Sequence, residues 1–287
     1  MPLTTTGELV TAARAAGHGV PAFNVITLEH AEAVAAGAEA AGAPAVLQIS
    51  ENAVRFHGGR LAPLATATAA VAQASSAQLS LHLDHVVSPD LLRSAHGMGF
   101  SSVMFDASKL PYAANVKATA EAVRWAHEHA IWIEAELGRV GGKEGDKEGD
   151  APLDAHAPGV RTDPDEAAAY VTDTGVDALA VAVGSSHAMT ERTAALDHEL
   201  IGRLRTAVPV PLVLHGSSGV PDTELRQAVA SGMVKINVGT ALNTAFTGTV
   251  RAYLDGNPAV VDPRKYLAPG REEMAATVRR FLEVVGG

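Results

Sequence analysis

The 287-residue chain carries a formal net charge of −10 at pH 7 and contains no cysteine. Without cysteine it can form neither disulfides nor thiolate metal sites, so a bound metal would need histidine and carboxylate ligands. The negative charge disfavours a nucleic-acid partner, because such surfaces cluster lysine and arginine against phosphates. A small phosphorylated ligand remains possible, since backbone N–H groups can hold it locally.

No apolar run approaches the roughly 18 residues that a membrane-spanning helix needs. The segment MPLTTTGELV at the N-terminus also lacks the basic-then-apolar order of a secretory signal. We therefore expect no membrane partner and a cytoplasmic location.

Eight β-rich apolar runs alternate along the chain with Ala-rich segments of helical spacing. The runs predict strands at 22–25, 45–50, 79–85, 102–108, 131–138, 178–184, 211–216 and 234–240. The clearest helices are predicted at 28–42, 111–130, 163–175 and 221–232. Strands that alternate with helices pair in parallel through right-handed crossovers. Eight such units predict an α/β fold with a single domain over 1–287, a closed (β/α)8 TIM barrel, which commonly needs about 250 residues.

Two segments fall outside this alternation. Residues 139–160 are rich in Gly and Pro and contain a tandem KEGD, and they are too long for an ordinary connection. They are either disordered or a mobile catalytic loop that acts as a lid. Residues 257–287 end in an amphipathic pattern, which predicts a helical tail packed on the barrel or on a neighbouring subunit.

Three histidines, His85, His187 and His215, each stand at or just after the end of one of the predicted strands. The carboxyl ends of barrel strands meet at one face, where chemistry gathers in this fold. A lone histidine is more often structural, but three at equivalent points of repeating units predict one site. Three protein ligands leave a coordination position open, as a catalytic zinc requires.

Asp84 stands beside the first of these histidines. It is either a general base next to the metal or a carboxylate that orients a metal-bound histidine. Adjacent side chains of a strand point to opposite faces, so His82 and Asp84 should share a face. His85 would then turn inward only if the strand has ended. For His82, which lies deeper, we expect a structural role.

Further polar residues end other predicted strands. Asp106 and Glu136 offer oxygen ligands for a second or relocating metal position, or else Asp106 caps a turn and Glu136 pairs with Arg139. Lys235 alternates with Asn237 and should point into the barrel, either as part of a buried ion pair or as a Schiff-base amine.

Short Gly/Ser loops at 216–219 and 237–240 follow predicted strands seven and eight. Barrels of this type frequently bind phosphate with these two loops and a helix N-terminus. We therefore expect a phosphate site there.

The chain resembles the metal-dependent class II ketose-bisphosphate aldolases. The resemblance runs from PAFNV near the start to DPRKYL near the end, through LHLDH, MFDAS, EAELGRVGG, SSH, VLHGSSG and KINVGT. It implies reversible aldol cleavage of a ketose 1,6-bisphosphate, first of all the glycolytic fructose 1,6-bisphosphate, to dihydroxyacetone phosphate and glyceraldehyde 3-phosphate. It also implies a homodimer or homotetramer.

The same resemblance implies a role for each candidate residue. Asp84 would be the acid/base beside Zn²⁺. Glu144 would be the loop carboxylate that handles the proton on the dihydroxyacetone phosphate carbon, and Arg264 would reach the distal phosphate, often from a neighbouring subunit. The implied metal residues are His85, His187 and His215, with Asp106 and Glu136 near an alternative position. The implied substrate contacts are Ser50, Gly216, Ser218, Asn237 and Thr240.

Three positions depart from the family pattern. Ala188 stands where many relatives have Gly, Gly239 replaces a common polar residue, and Ser217 replaces a small Gly or Ala. All three fall in the region implied to bind phosphate and a monovalent cation, Na⁺ or K⁺.

Other functions are compatible with the same residues. Tagatose 1,6-bisphosphate or an inositol-catabolic phosphoketose could replace the fructose substrate. Lys235 could support a Schiff-base aldolase, the metal could activate water for hydrolysis, or the barrel could bind a sugar phosphate without catalysis.

Overall fold

The computed structural model describes residues 3–138, 140–141 and 160–286 of the chain. Eight parallel strands, each hydrogen-bonded to the next in sequence, form a closed barrel. This confirms the predicted (β/α)8 fold. The strands are β1 (Val20–Asn24), β2 (Ala45–Ser50), β3 (Leu79–Val86), β4 (Ser102–Phe105), β5 (Trp132–Leu137), β6 (Ala178–Val181), β7 (Leu212–Leu214) and β8 (Met233–Val238).

Helices surround the barrel between the strands. They are α1 (Thr6–Ala16), α2 (Leu28–Ala41), α3 (Glu51–Phe56), α4 (Leu61–Ala74), α5 (Pro89–Ser94), α6 (Tyr112–Glu128), α7 (Pro164–Thr174), α8 (His198–Ala207), α9 (Asp222–Ser231), α10 (Thr240–Gly256) and α11 (Arg264–Val285). Their starts follow local signals in the sequence. The Asp163 carboxylate, for example, accepts hydrogen bonds from the first backbone N–H groups of α7, whose first residue is Pro164.

Several strands are shorter than the apolar runs predicted. The runs at 178–184 and 211–216 continue past the observed ends of β6 and β7 at Val181 and Leu214. In both cases the chain bends at a glycine with left-handed backbone geometry, φ 121° at Gly184 and φ 69° at Gly216. The residues beyond the strand ends are therefore loops that face the carboxyl end of the barrel.

The two faces of the strands differ in chemistry. On β2, Leu47 and Ile49 belong to the hydrophobic core between barrel and helices. Gln48 points the other way, into the barrel, where its amide donates a hydrogen bond to Asn24 of β1. The barrel interior is therefore partly filled with buried polar side chains, and these continue up to the site.

The last two helices pack against each other. Phe246 and Val250 of α10 pack against Gly270 of α11. Along α10 only Leu242 is fully buried. At its other end, α11 returns to the barrel base, where the Val285 carbonyl accepts a hydrogen bond of 2.7 Å from the Gly19 amide before β1. No helix in the described ranges is both long enough and apolar enough to span a bilayer.

Candidate metal centre and active site

A bulge near the end of β3 turns His85 toward the barrel axis. The pairing of β3 with β4 shifts register between Leu83 and Val86, and His85 has a left-handed φ of 49°. Side-chain alternation predicted that His85 would turn inward only if the strand had already ended. The strand instead continues to Val86, so that condition is not met. The extra residue of the bulge performs the reorientation instead.

The three predicted metal histidines come together with one carboxylate. One ligand atom from each of His85, His187, His215 and Glu136 lies within 4.8 Å of the other three. The ring centroids of His85 and His215 are 4.7 Å apart, and those of His187 and His215 are 5.6 Å apart. Side chains from β3, β5 and the loops after β6 and β7 thus converge on one point.

The loop that carries His187 is held from both sides. The His187 amide donates a hydrogen bond of 2.7 Å to the Gly141 carbonyl. The Ser185 hydroxyl donates to the His215 carbonyl at 2.6 Å, which ties this loop to the one after β7. Ala188, the next residue, has a left-handed φ of 57°, a conformation that favours glycine.

His215 is fully buried and lies between two carboxylates. Its Nε2 is 2.9 Å from Oε1 of Glu134, and its Nδ1 is 3.4 Å from Oε2 of Glu136. Burial by itself would lower the pKa of His215, but the hydrogen bonds and charges of both carboxylates outweigh it and raise the pKa to about 9. A metal at Nδ1 would displace the proton there.

Lys235 points into the barrel and forms the buried ion pair that was one of its two predicted roles. Its Nζ lies 2.9 Å from Oε2 of Glu134 and donates a 2.7 Å hydrogen bond to Oδ1 of Asn237. Burial would raise the pKa of Glu134, but the charge of Lys235 and the contact with His215 lower it to about 2. The lysine amine is therefore engaged by two partners.

Asp106 lies behind His85. Its Oδ2 is 2.9 Å from Nδ1 of His85, while its Oδ1 accepts hydrogen bonds from the Ser108 amide and hydroxyl at 3.1 and 2.6 Å. It therefore closes a turn, which was one of its two predicted roles, and also contacts one of the predicted metal histidines. Within the described residues the four-ligand cluster includes Glu136 but not Asp106. Arg139, the other partner considered for Glu136, lies outside the described residues.

Asp84 is buried beside the cluster, on the same strand as His85. Burial by itself would raise its pKa, but the charge at His85, the contact with His82 and the charge of Lys235 together lower it. These contacts favour the ionised form of the carboxylate. His82 lies 3.7 Å from it through Nε2, and its Nδ1 is hydrogen-bonded to Ser102 at 2.8 Å.

Two of the predicted substrate residues, Gly216 and Ser218, lie in the turn after β7. The Ser218 hydroxyl accepts a hydrogen bond of 3.0 Å from the Ala241 amide, which joins the turn after β7 to the start of α10 at Thr240. Gly216 has no space for a side chain, because a Cβ there would lie 2.4 Å from the Ser186 carbonyl oxygen. The predicted phosphate loops are therefore adjacent at a helix N-terminus.

The remaining predicted residues occupy different positions. Ser50 ends β2 and its hydroxyl accepts a hydrogen bond from the Ala53 amide. Asn237 is buried on β8, and its Nδ2 has no hydrogen-bond partner within the described part of the chain. Arg264 begins α11, is 89% exposed and pairs with Asp262. Glu144 lies outside the described residues, as does most of the predicted catalytic loop, 142–159.

One residue that contacts the site, Glu134, was not among those predicted from the sequence. Glu134 lies two positions before Glu136 on β5, and both side chains point into the barrel. The alternation of inward-facing positions could have identified it, since the same alternation predicted the orientation of Lys235.

The cluster has the donor chemistry of a divalent metal site. Three imidazole nitrogens and a carboxylate oxygen are a ligand set that zinc accepts. Nε2 of His85 is buried and has no hydrogen-bond partner among the described residues, which fits a nitrogen reserved for a metal. These residues therefore fit a catalytic metal ion.

Comparison with known proteins agrees with this geometry. The family described as "Fructose-bisphosphate aldolase class-II" matches residues 4–287. The chain is 36% identical over 307 aligned positions to a fructose-bisphosphate aldolase of Thermus caldophilus, covering 99% of this chain and 98% of the relative.

Solved structures show the same fold. The YdjI aldolase of Escherichia coli K12 superposes with a TM-score of 0.83 at 29% identity, covering 99% of this chain and 97% of that one. A fructose-bisphosphate aldolase of Campylobacter jejuni superposes with a TM-score of 0.81 at 23% identity, over 99% of this chain and 95% of that one, a likeness that shows the fold alone. With the match over nearly its whole length and the histidine–carboxylate cluster, the chain belongs to the class II fructose-bisphosphate aldolase family.

Proposed function

We propose that this aldolase catalyses the Zn²⁺-dependent, reversible cleavage of a ketose 1,6-bisphosphate. Fructose 1,6-bisphosphate is the first candidate, with dihydroxyacetone phosphate and glyceraldehyde 3-phosphate as products. The observation that carries the proposal is the cluster of His85, His187, His215 and Glu136, whose ligand atoms lie within 4.8 Å of one another, beside the buried carboxylate of Asp84.

His85, His187 and His215 would hold the zinc ion, and Glu136 offers an oxygen ligand at an alternative position. When bound, zinc supplies a Lewis acid that stabilises the negative charge developing on the ketone oxygen during cleavage. Asp106 contributes from behind His85, and its role as a direct ligand of a second metal remains a prediction.

Asp84 supplies the base. In the cleavage direction it accepts the proton of the C4 hydroxyl, C4 becomes the aldehyde carbon, and the C3–C4 bond breaks with its electron pair passing to C3. C3 must then gain a proton to give dihydroxyacetone phosphate. By family resemblance that proton comes from Glu144, so that two carboxylates divide the acid/base work.

The turn after β7 and the N-terminus of α10 would bind one phosphate. Backbone N–H groups and the helix dipole favour an anion there, and the residues concerned are Gly216, Ser218 and Thr240. Ser50 and the amide of Asn237 would contact the ketose, and Na⁺ or K⁺ would accompany the phosphate. Arg264 is exposed at the start of α11. In a homodimer or homotetramer it would bind the distal phosphate of the substrate held in a neighbouring subunit.

Fructose 1,6-bisphosphate comes first because the relative that is 36% identical is named for it. Tagatose 1,6-bisphosphate and an inositol-catabolic phosphoketose are the alternatives within the family. A cytoplasmic location and a place in glycolysis belong to the same proposal.

A coupled assay of dihydroxyacetone phosphate release from each candidate ketose tests the proposal. We expect turnover to be greatest with fructose 1,6-bisphosphate, to disappear after chelation and to return with added zinc. Activity that survives the chelator, together with a covalent enzyme–substrate adduct that borohydride traps, would point to a Schiff base at Lys235 instead. Release of phosphate with an intact carbon chain would indicate hydrolysis. If no candidate is turned over, the result would favour a barrel that binds a sugar phosphate without catalysis.

A further inference from the structure

A row of charged side chains crosses the barrel interior directly beneath the four-ligand cluster. Glu134 of β5 lies between His215, which follows β7, and Lys235 of β8, and all three side chains are fully buried. The two Glu134 oxygens are divided between them, with Oε1 2.9 Å from Nε2 of His215 and Oε2 2.9 Å from Nζ of Lys235. Glu134 itself is not in the four-ligand cluster of the described residues.

We infer that Glu134 is a positioning residue, held in place by Lys235, that determines which nitrogen of His215 faces the metal. The inference rests on the proposed metal site. An imidazole offers two nitrogens, and the partner of one decides which remains for a metal. Because Glu134 takes the hydrogen bond from Nε2, Nδ1 is directed at Glu136 and the other two histidines.

His85 is oriented in the opposite sense. Asp106 contacts its Nδ1 at 2.9 Å, so Nε2 is the atom that enters the cluster. The two rings thus present different nitrogens, each selected by a carboxylate behind it. A 180° rotation of the His215 ring about its Cβ–Cγ bond would break the contact with Glu134 and would turn Nδ1 away from the other ligand atoms.

Lys235 extends this arrangement to the substrate side. Its second hydrogen bond, 2.7 Å to Oδ1 of Asn237, leaves the amide nitrogen of Asn237 on the far side of that group, and this nitrogen has no partner among the described residues. One lysine therefore fixes both the carboxylate behind a metal ligand and an amide assigned to substrate binding.

Two double variants separate positioning from stability. Glu134→Leu with Lys235→Met removes both charges and the acceptor for His215, whereas Glu134→Gln with Lys235→Met removes the charges but keeps an acceptor oxygen. Replacing a buried ion pair by uncharged groups of similar volume is often tolerated. We therefore expect both proteins to fold with similar thermal midpoints.

Zinc titration of the metal-free proteins by calorimetry then provides the readout. We expect the Glu134→Leu pair to bind zinc about 10- to 100-fold more weakly than wild type, and the Glu134→Gln pair to remain within a few-fold. Equal zinc affinity in both pairs and wild type would overturn the inference. A wild-type protein that binds no zinc would instead contradict the proposed function.

A measurement on the wild-type protein avoids any folding problem in the variants. Nitrogen NMR of the histidine rings in the zinc-loaded protein should show His215 protonated at Nε2 and bound through Nδ1, with the reverse arrangement for His85. Zinc bound through Nε2 of His215 would overturn the inference.

Discussion

Asp106 lies 2.9 Å from Nδ1 of His85 and so directs the opposite nitrogen of that ring into the metal cluster. The contact makes Asp106 a support for the ligand, since a carboxylate behind a metal-bound histidine fixes the ring orientation and raises its basicity.

The Asp106→Ala variant should therefore bind zinc about 10- to 100-fold more weakly than wild type. Asp90→Ala is the matched control, because the Asp90 side chain is 96% exposed and pairs only with nearby Arg93 among the described contacts. Competition with a fluorescent zinc chelator measures both affinities. Equal weakening in both variants would mean that general loss of negative charge, rather than the contact with His85, is responsible.

Removal of the Asp84 carboxylate should abolish proton transfer without loss of the metal. In Asp84→Asn, kcat should fall by about 10²- to 10⁴-fold, the usual contribution of a positioned general base. Zinc content, measured by elemental analysis, should stay at the wild-type level because Asp84 is not in the cluster of the described ligands. Full activity in this variant would remove Asp84 from the mechanism.

The left-handed backbone at Ala188, φ 57°, should cost stability that a glycine would restore. An L-residue in this region destabilises the folded state by roughly 1–2 kcal/mol. Glycine removes this cost, but it loses more backbone entropy on folding than alanine does, which offsets part of the benefit. Ala188→Gly should therefore raise the free energy of unfolding by about 0.5–1 kcal/mol. Chemical denaturation of the metal-free protein measures the change.

Ala70→Gly provides the control of opposite sign. Ala70 is exposed within α4, where glycine costs about 1 kcal/mol relative to alanine. If both substitutions lower the stability, the backbone at Ala188 is not strained.

Asp222 predicts a pH dependence of stability. Burial would raise its pKa, but the contacts with Arg192 and Arg280 lower it below the ordinary value of 3.8. A lowered pKa in the folded state contributes stability above pH 3.8, which is lost as the pH falls through the folded value. All three side chains are partly exposed, so water screens the charges and the contribution is on the order of 1 kcal/mol.

The difference in unfolding free energy between wild type and Asp222→Asn should therefore be constant from pH 8 to about 5 and shrink below pH 3.8. Urea unfolding at a series of pH values measures it. Other carboxylates contribute equally to both proteins and cancel. A difference that grows as the pH falls would contradict the assignment.

Much of the architecture could be predicted because it depends on local patterns. The apolar run at 45–50 coincides with β2, since a strand buried on its outer face needs only neighbouring residues to define it. The inward orientation of Lys235 followed from alternation with Asn237. The convergence of the three histidines followed from the fold, because parallel strands end at one barrel face.

The remaining features depend on contacts across the barrel. Glu134 contacts residues of the β7 and β8 units, which are not its sheet neighbours, and no local pattern specifies that distance. The bulge at His85 arises from a register shift against β4, which the β3 sequence alone does not encode. The early ends of β6 and β7 depend on the backbone angles of Gly184 and Gly216.

The origin of the metal ligands has a consequence for how the enzyme matures. His85 belongs to the third strand, whereas His187 and His215 follow the sixth and seventh, so neither half of the chain carries the complete set. If these residues bind a metal ion, a nascent or partly unfolded chain would lack the complete site, and the ion could bind tightly only after the two halves have closed into a ring. Bound metal would then be found only in molecules whose barrel is complete. A chain that stops at a partly folded state would bind no metal and would be inactive.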